Sequence, residues 1–246
     1  MPINFNVDPY YDDFDQTKNF HRILFKPGKA VQARELTQSQ TILQDQITKF
    51  ADNIFKQNSP VTGGQITTNF SNYYVKLQST YNNASIDITE FDGLLVKNAT
   101  GSVIARVVAV ATPTGTEGAG DPPTLVLSYK TGNHFQDNDV IYDVNSNLAA
   151  QAIASGSTGS SSVASIAQGV FYISGNYTRD DGITISNGVF VQVNPQTIVV
   201  DKYDSTPSRR IGLNITETIQ DYVNDTSLLD PAVGASNYQA PGADRY

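Results

Sequence analysis

Cysteine is absent from the 246 residues. That excludes disulfide frameworks, Cys-ligated zinc, iron–sulfur clusters and thiol nucleophiles together. Histidine is nearly absent too, with two in the whole chain. His21 lies among aromatics with no ligand nearby, and His134 has Asp137 three residues on, in a polar turn and not on a helix. Neither spacing is that of a metal or catalytic centre, and no cofactor is expected. Positive charge is also scarce: 16 basic against 24 acidic residues give a net charge of −8, which repels a phosphate backbone and makes nucleic acid an unexpected partner. No run of about 18 apolar residues is present to cross a bilayer. The opening Met1-Pro2-Ile3-Asn4-Phe5-Asn6-Val7-Asp8 lacks a basic and an apolar region, so no signal peptide is expected. The six Asn-x-Ser/Thr sequons, beginning at Asn69, then reflect a bias to Asn, Ser and Thr that suits β-structure with polar outer faces.

What is present begins with rings. Residues 1–30 interleave Phe5, Tyr10, Tyr11, Phe14, Phe20 and Phe25 with Asp8, Asp12, Asp13 and Asp15, and show neither a period of two nor one of 3.6. Six aromatic side chains require a surface to bury against, so this segment reads as an extended arm lying on its own chain or on a neighbour. Lys26-Pro27-Gly28-Lys29 ends it in a turn.

A helix follows, expected over about Val31 to Gln57. Ala33, Leu36, Leu43, Ile47, Phe50 and Ile54 take the a and d positions of a heptad, Gln40 fills the intervening a position and Gln57 the last d. Ile42, Ala51 and Phe55 widen the seam towards the C-terminal half. One reading is a helix covering a sheet of its own domain. The other is a short intersubunit bundle with Gln40 as a polar layer that fixes register. Asn58-Ser59-Pro60 is expected to stop the helix.

Beyond residue 65 the pattern turns to strands. Ile86 to Ile88, Gly93 to Val96, Val103 to Val110, and Leu125, Leu127 and Tyr129 read as one set, with residues 113–123 as an exposed hairpin loop. The run Ser155 to Ser162 reads as a linker and boundary. After it Val170 to Ile173, Ile183 to Ile185, Val189 to Val193 and Ile198 to Val200 read as a meander. Asp181-Gly182 and Asn187-Gly188 are type I′ hairpin signals, and Gly175-Asn176 is a weaker one; Ile211, Leu213 and Ile215 alternate after the meander. The expected fold class is mainly β with one long N-terminal helix: arm 1–30, helix and turn 31–64, a connection 65–85, a small β-barrel-like insert 86–165, and a β meander with the C-terminal segment over 166–246.

Catalytic patterns are weak. Gly156-Ser157-Thr158-Gly159-Ser160 does not fit a nucleophile elbow, and Gly118-Ala119-Gly120-Asp121 has no helix after it to receive a phosphate. The acidic pairs Asp12/Asp13, Asp137/Asp139 and Asp180/Asp181 could supply glycosidase carboxylates but read first as solvated turn residues. Asp137-Asn138-Asp139 lacks the later residues of a calcium loop. Tyr73, Tyr74 and Tyr81 could stack on sugars if their faces are open, or pack on their own sheet. An enzyme is not expected.

Three N-terminal runs carry a resemblance: Pro9-Tyr10-Tyr11-Asp12-Asp13-Phe14-Asp15, Lys18-Asn19-Phe20-His21-Arg22-Ile23-Leu24-Phe25-Lys26-Pro27-Gly28, and Gln32-Ala33-Arg34-Glu35-Leu36-Thr37-Gln38-Ser39-Gln40. Together with Gly169 to Gly175, Asp201-Lys202-Tyr203, Ser227 to Asp230 and Ala240 to Arg245, they resemble a family of structural proteins of contractile-tailed phages, associated with the baseplate or tail fibres. The resemblance implies a virion component made in the host cytoplasm. It implies docking to other tail or baseplate proteins and to copies of itself as a homotrimer, with a role in linking fibres to the baseplate; a carbohydrate- or receptor-binding module of a fibre is the alternative. The interface residues are then Tyr10, Tyr11, Phe14, Phe20 and Phe25 of the arm with Leu36, Gln40, Leu43, Ile47, Phe50 and Ile54 of the helix. The resemblance brings no catalytic residue.

Overall fold

A computed structural model describes residues 3–114, 120–178 and 182–246. It contains one α-helix among the described residues, α1 (Ala33–Asp52), and thirteen strands. These are β1 (Ser59–Gly63), β2 (Ile66–Lys76), the two-residue β3 (Thr80–Tyr81) and β4 (Ala84–Ser85), β5 (Leu95–Asn98), β6 (Ile104–Ala111), β7 (Thr124–Thr131), β8 (Val140–Asp143), β9 (Ala149–Gln151), β10 (Thr158–Ile166), β11 (Gly169–Thr178), β12 (Thr184–Val193) and β13 (Gln196–Asp201). The fold is mainly β with one long N-terminal helix, and its largest sheet curls into a half-barrel.

The chain forms two compact units. The first comprises residues 1–61, 170–191 and 213–246, and holds the arm, α1, most of the sheet β1-β11-β12 and the C-terminal segment. The second comprises residues 62–169 and 192–212, and its eight strands run in the order β13-β10-β2-β7-β6-β5-β8-β9. Along β6, Ala105 and Val107 join Val75, Leu125, Leu127, Phe91, Phe135 and Ile141 in the main core cluster. Past the register shift between Val107 and Ala109, Ala109 packs instead with Val126 and Val163 in a second cluster, so this part of the sheet is buried on both faces.

Several boundaries differ from the sequence reading. Residues 65–85 are no mere connection, because they contain β2, which pairs with both β10 and β7. The serine-rich run 155–162 is not a linker: β10 starts inside it, and Ser157, Ser161 and Ser162 are fully buried. Burial of these hydroxyls is tolerable because Ser157 Oγ donates to Asp137 Oδ1 at 2.6 Å and Ser161 Oγ to the Asp201 carbonyl at 3.0 Å. The half-barrel therefore draws on residues 66–166 and 196–201 and not on 86–165 alone. Strands β6 and β7 do flank residues 113–123 as antiparallel partners. Residues 115–119 of that loop, and Asp180 and Asp181, lie outside the described residues. Gly175-Asn176 and Asn187-Gly188 are not turns but fall within β11 and β12. Ile211, Leu213 and Ile215 form no strand.

The helix is shorter than its hydrophobic pattern. Its first turn is fixed by Glu35, which accepts the Gln32 amide at 2.9 Å in the manner of a capping box. It stops at Asp52, where Asn53 Nδ2 donates back to the Lys49 carbonyl at 2.6 Å. The next residues turn so that Phe55 meets the rings of Tyr172 and Phe190 at 6.0 and 5.6 Å. Ile54 and Gln57 thus lie past the helix end.

Candidate assembly surface

Helix α1 has two faces of unexpected composition. Its buried residues are Ile42, Asp45, Thr48 and Ala51, whereas Leu36, Leu43, Ile47 and Phe50 are 53, 62, 38 and 68 % exposed. Leu43 and Asp45 illustrate the geometry, since two residues at 3.6 per turn are about 200° apart around the axis. The heptad seam, with the exposed Gln40 within it, therefore points away from the strands of its own unit. Of the residues read as widening the seam, Ile42, Ala51 and Phe55 are the ones that pack inward.

Polar groups on the inner face are individually satisfied. Asp45 accepts from Gln16 Nε2 at 2.8 Å and from Lys49 Nζ at 2.7 Å. Thr48 Oγ1 donates to the Gln44 carbonyl and accepts the Gly188 amide, both at 2.9 Å, while Gln44 Nε2 donates to the Gly188 carbonyl. Strand β12 approaches this closely only because residue 188 has no side chain. A Cβ there would lie 2.2 Å from the Tyr172 hydroxyl. Tyr172 is itself fully buried and donates to Asp52 Oδ1 at 2.8 Å. Burial first, and the Asp52 carboxylate second, push its phenol up to about 12. The Asn-Gly pair read as a hairpin signal is thus a close-approach site, and the sequence carried the glycine but not its reason.

The arm divides at residue 19. Its first part is fastened to its own unit: Asp12 is buried and accepts from Thr41 Oγ1 and the Phe14 amide, and Phe14 packs with Ile42 and Ile185 at 4 % exposure. Phe14, read as an interface residue, is therefore occupied inside the chain's own core. Tyr10 donates to Asp244, which together with burial raises its phenol to about 12, and its ring meets Phe5, which in turn meets Tyr246. Tyr11 is 55 % exposed, its hydroxyl 3.0 Å from Asp8. The second part is open. Phe20, Leu24 and Phe25 are 63, 79 and 53 % exposed, and only Ile23 turns inward. Lys26 to Lys29 close a turn, with Gly28 at φ 76° as a left-handed corner requires. Ile54 is 57 % exposed.

The other candidates are dispersed. Asp12 points inward while the exposed Asp13 pairs with Arg34 at 3.2 Å. Asp137 caps Ser157 and Gly156, and Asp139 accepts the Gln136 amide. Tyr73 stacks on His134 at 3.9 Å and meets Tyr129 at 5.7 Å. Tyr74, on the opposite side of β2, lies against Tyr203 at 4.7 Å with Lys76 above both rings. Both tyrosines spend their faces on neighbouring rings of the half-barrel. No three His, Asp or Glu side chains converge on one point among the described residues.

No helix of the described residues is long and apolar enough to cross a membrane. Neither a curated protein nor a solved structure matches the chain. Over residues 8–102, which take in most of the arm, α1 and the first strands, the chain is similar to a family described as a domain of unknown function, DUF4815.

Proposed function

We propose that this protein is a non-enzymatic structural component of a phage tail or baseplate that assembles with copies of itself and with other tail proteins through its arm and helix. The resemblance of the N-terminal motifs supplies the setting, that of a virion part. The observation that carries the assembly reading is the inverted helix: Asp45 and Thr48 are buried while Leu36, Leu43, Ile47 and Phe50 face outward. A helix that had only its own sheet to cover would place those apolar residues inward, because each fully buried side chain of this kind stabilises by about 1.5–3 kcal/mol. Spacing of 3-4-3-4 along the exposed face is the pattern that two or more helices need to interlock.

Gln40 favours a parallel arrangement. Aligned in parallel, copies bring Gln40 against Gln40, where the amides donate to and accept from one another. Aligned antiparallel, a positions lie opposite d positions, so each Gln40 would face an apolar residue such as Leu43 or Phe50 and leave a buried amide without a partner. Light scattering on the full chain tests the reading. The expected molar mass is a multiple of 26.7 kDa, falling to the monomer in the Leu43→Lys, Ile47→Lys double variant. In the phage, deletion of residues 1–30 is expected to block incorporation into particles. A wild-type monomer at every concentration, together with normal incorporation of the deletion, would refute the proposal.

A further inference from the structure

The open part of the arm has a charge opposite to that of the chain. Between Asp15 and Glu35 there is no acidic residue, and five of the 16 basic residues stand there: Lys18, Arg22, Lys26, Lys29 and Arg34. Arg34 pairs with Asp13, but among the described residues Lys18, Arg22, Lys26 and Lys29 form no ion pair and all four are exposed. Phe20, Leu24 and Phe25 stand exposed among them. The backbone is also unused: within residues 20–31 the one backbone hydrogen bond among described residues is the turn from the Lys29 amide to the Lys26 carbonyl. Unused backbone groups, cations and open rings in one stretch describe a segment that still has hydrogen bonds, charge and apolar surface to offer a partner.

Residues 213–246 carry the complementary set. Glu217, Asp221, Asp225, Asp230 and Asp244 stand there against Arg245 alone. Asp221, Asp225 and Asp230 accept hydrogen bonds from nearby residues, Glu217 from Tyr246 and Asp244 from Tyr10, but the five carboxylates form no ion pair among the described residues. Leu213, Ile215, Tyr222 and Val223 are 40, 44, 41 and 69 % exposed. Residues 213–219 make no backbone–backbone hydrogen bond among the described residues. Each stretch thus offers what the other lacks, yet no ion pair joins the two within one copy.

We infer that the basic arm, residues 18–29, docks on the acidic C-terminal segment, residues 213–225, of a second copy of this chain. The inference rests on the assembly reading above and names the partner surface of the arm. Contact between two different patches is heterologous, so it propagates around a closed ring of copies, which a parallel helix bundle provides. Opposite charge steers and orders the contact, and the apolar side chains between the charges exclude water from it.

The absence of cysteine makes the test clean. Leu24→Cys, coupled to a benzophenone, is photolysed in the full-length protein made as a mixture of unlabelled and ¹⁵N-labelled chains. Cross-links are expected from position 24 of one copy to residues 213–225 of another, and these should fade as salt rises. Arg22→Glu, Lys26→Glu and Lys29→Glu together should cut the yield about tenfold or more, since several exposed pairs become like-charge contacts. Mixing that variant with Glu217→Lys, Asp221→Lys, Asp225→Lys chains, with retained folding checked by circular dichroism, should restore it. An oligomer whose cross-links go elsewhere or stay within one copy overturns this inference and leaves the assembly reading intact. A monomer at every concentration, without intermolecular cross-links, overturns this inference and the self-association on which it rests. Retention of an oligonucleotide by the wild type, lost in the triple variant, would assign the arm to nucleic acid instead.

Discussion

Ile42 and Leu43 are neighbours of similar size, and the structure gives them opposite tasks. Ile42 is 6 % exposed and packs with Phe14 and Ile185, whereas Leu43 is 62 % exposed. Ile42→Ala removes buried methylenes and leaves a cavity beneath the helix, which costs about 2–4 kcal/mol of folding stability. Leu43→Ala removes atoms already mostly in water, so its effect on the isolated fold stays within about 0.5 kcal/mol. In an assembly the exposed portion of Leu43 becomes buried. At about 1.5–3 kcal/mol for a whole side chain, that portion is about 1–2 kcal/mol per copy. For a pair of helices the loss is about 2–4 kcal/mol, or about 30- to 1,000-fold in dissociation constant. Urea unfolding at two protein concentrations separates the terms, because only the association term depends on concentration. Light scattering on the same samples then gives the mass. The reasoning fails if Leu43→Ala destabilises the diluted protein as much as Ile42→Ala does, or if it leaves the mass unchanged at every concentration.

Gly188→Ala should destabilise the first unit by about 1–3 kcal/mol, because the new methyl would meet the Tyr172 hydroxyl at 2.2 Å and Tyr172 is held by Asp52 and flanked by Phe55 and Phe190. Thermal melts with Tyr172→Phe as a second background check this: the alanine should cost less there, where the closest atom is gone, and an equal cost would place the clash elsewhere. In the half-barrel, hydrogen bonds from the Ser157 hydroxyl and amide hold Asp137 below the usual carboxylate range. A depressed carboxylate stabilises the fold above its unfolded pKa of about 3.9, and that contribution disappears as pH falls through the lower folded value. Acid titration should therefore show a loss of stability below about pH 4 that Asp137→Asn removes; an unchanged acid limb in that variant would refute the assignment.

The distribution of what could be read from sequence follows the range of the interactions. Helix α1, the Lys26–Lys29 turn and most strands were legible because periodicity and turn chemistry act over a few residues. The same was true of the heptad, a property of spacing alone. Errors fell where a local signal had a distant cause. Gly188 resembles a turn glycine, but it is required by the ring of Tyr172, 16 positions away in sequence. The buried serines of β10 resemble a linker until Asp137 and Asp201 are found beside them. Residues 211–215 alternate like a strand, but no ladder partner is found for them within the described residues.

By itself, then, the sequence determined that the chain is mainly β with one long amphipathic helix, that its arm is aromatic, and that a 3-4-3-4 apolar seam runs along the helix. It could not determine which face of that helix its own strands would cover, because hydrophobic spacing records that a stripe must be buried and not by whom. Only the tertiary structure decided this, by engaging Asp45 and Thr48 on the inner face with Gln16, Lys49 and Gly188. Once those hydrogen bonds fix the rotation of the helix, Leu36, Leu43, Ile47 and Phe50 are left facing outward.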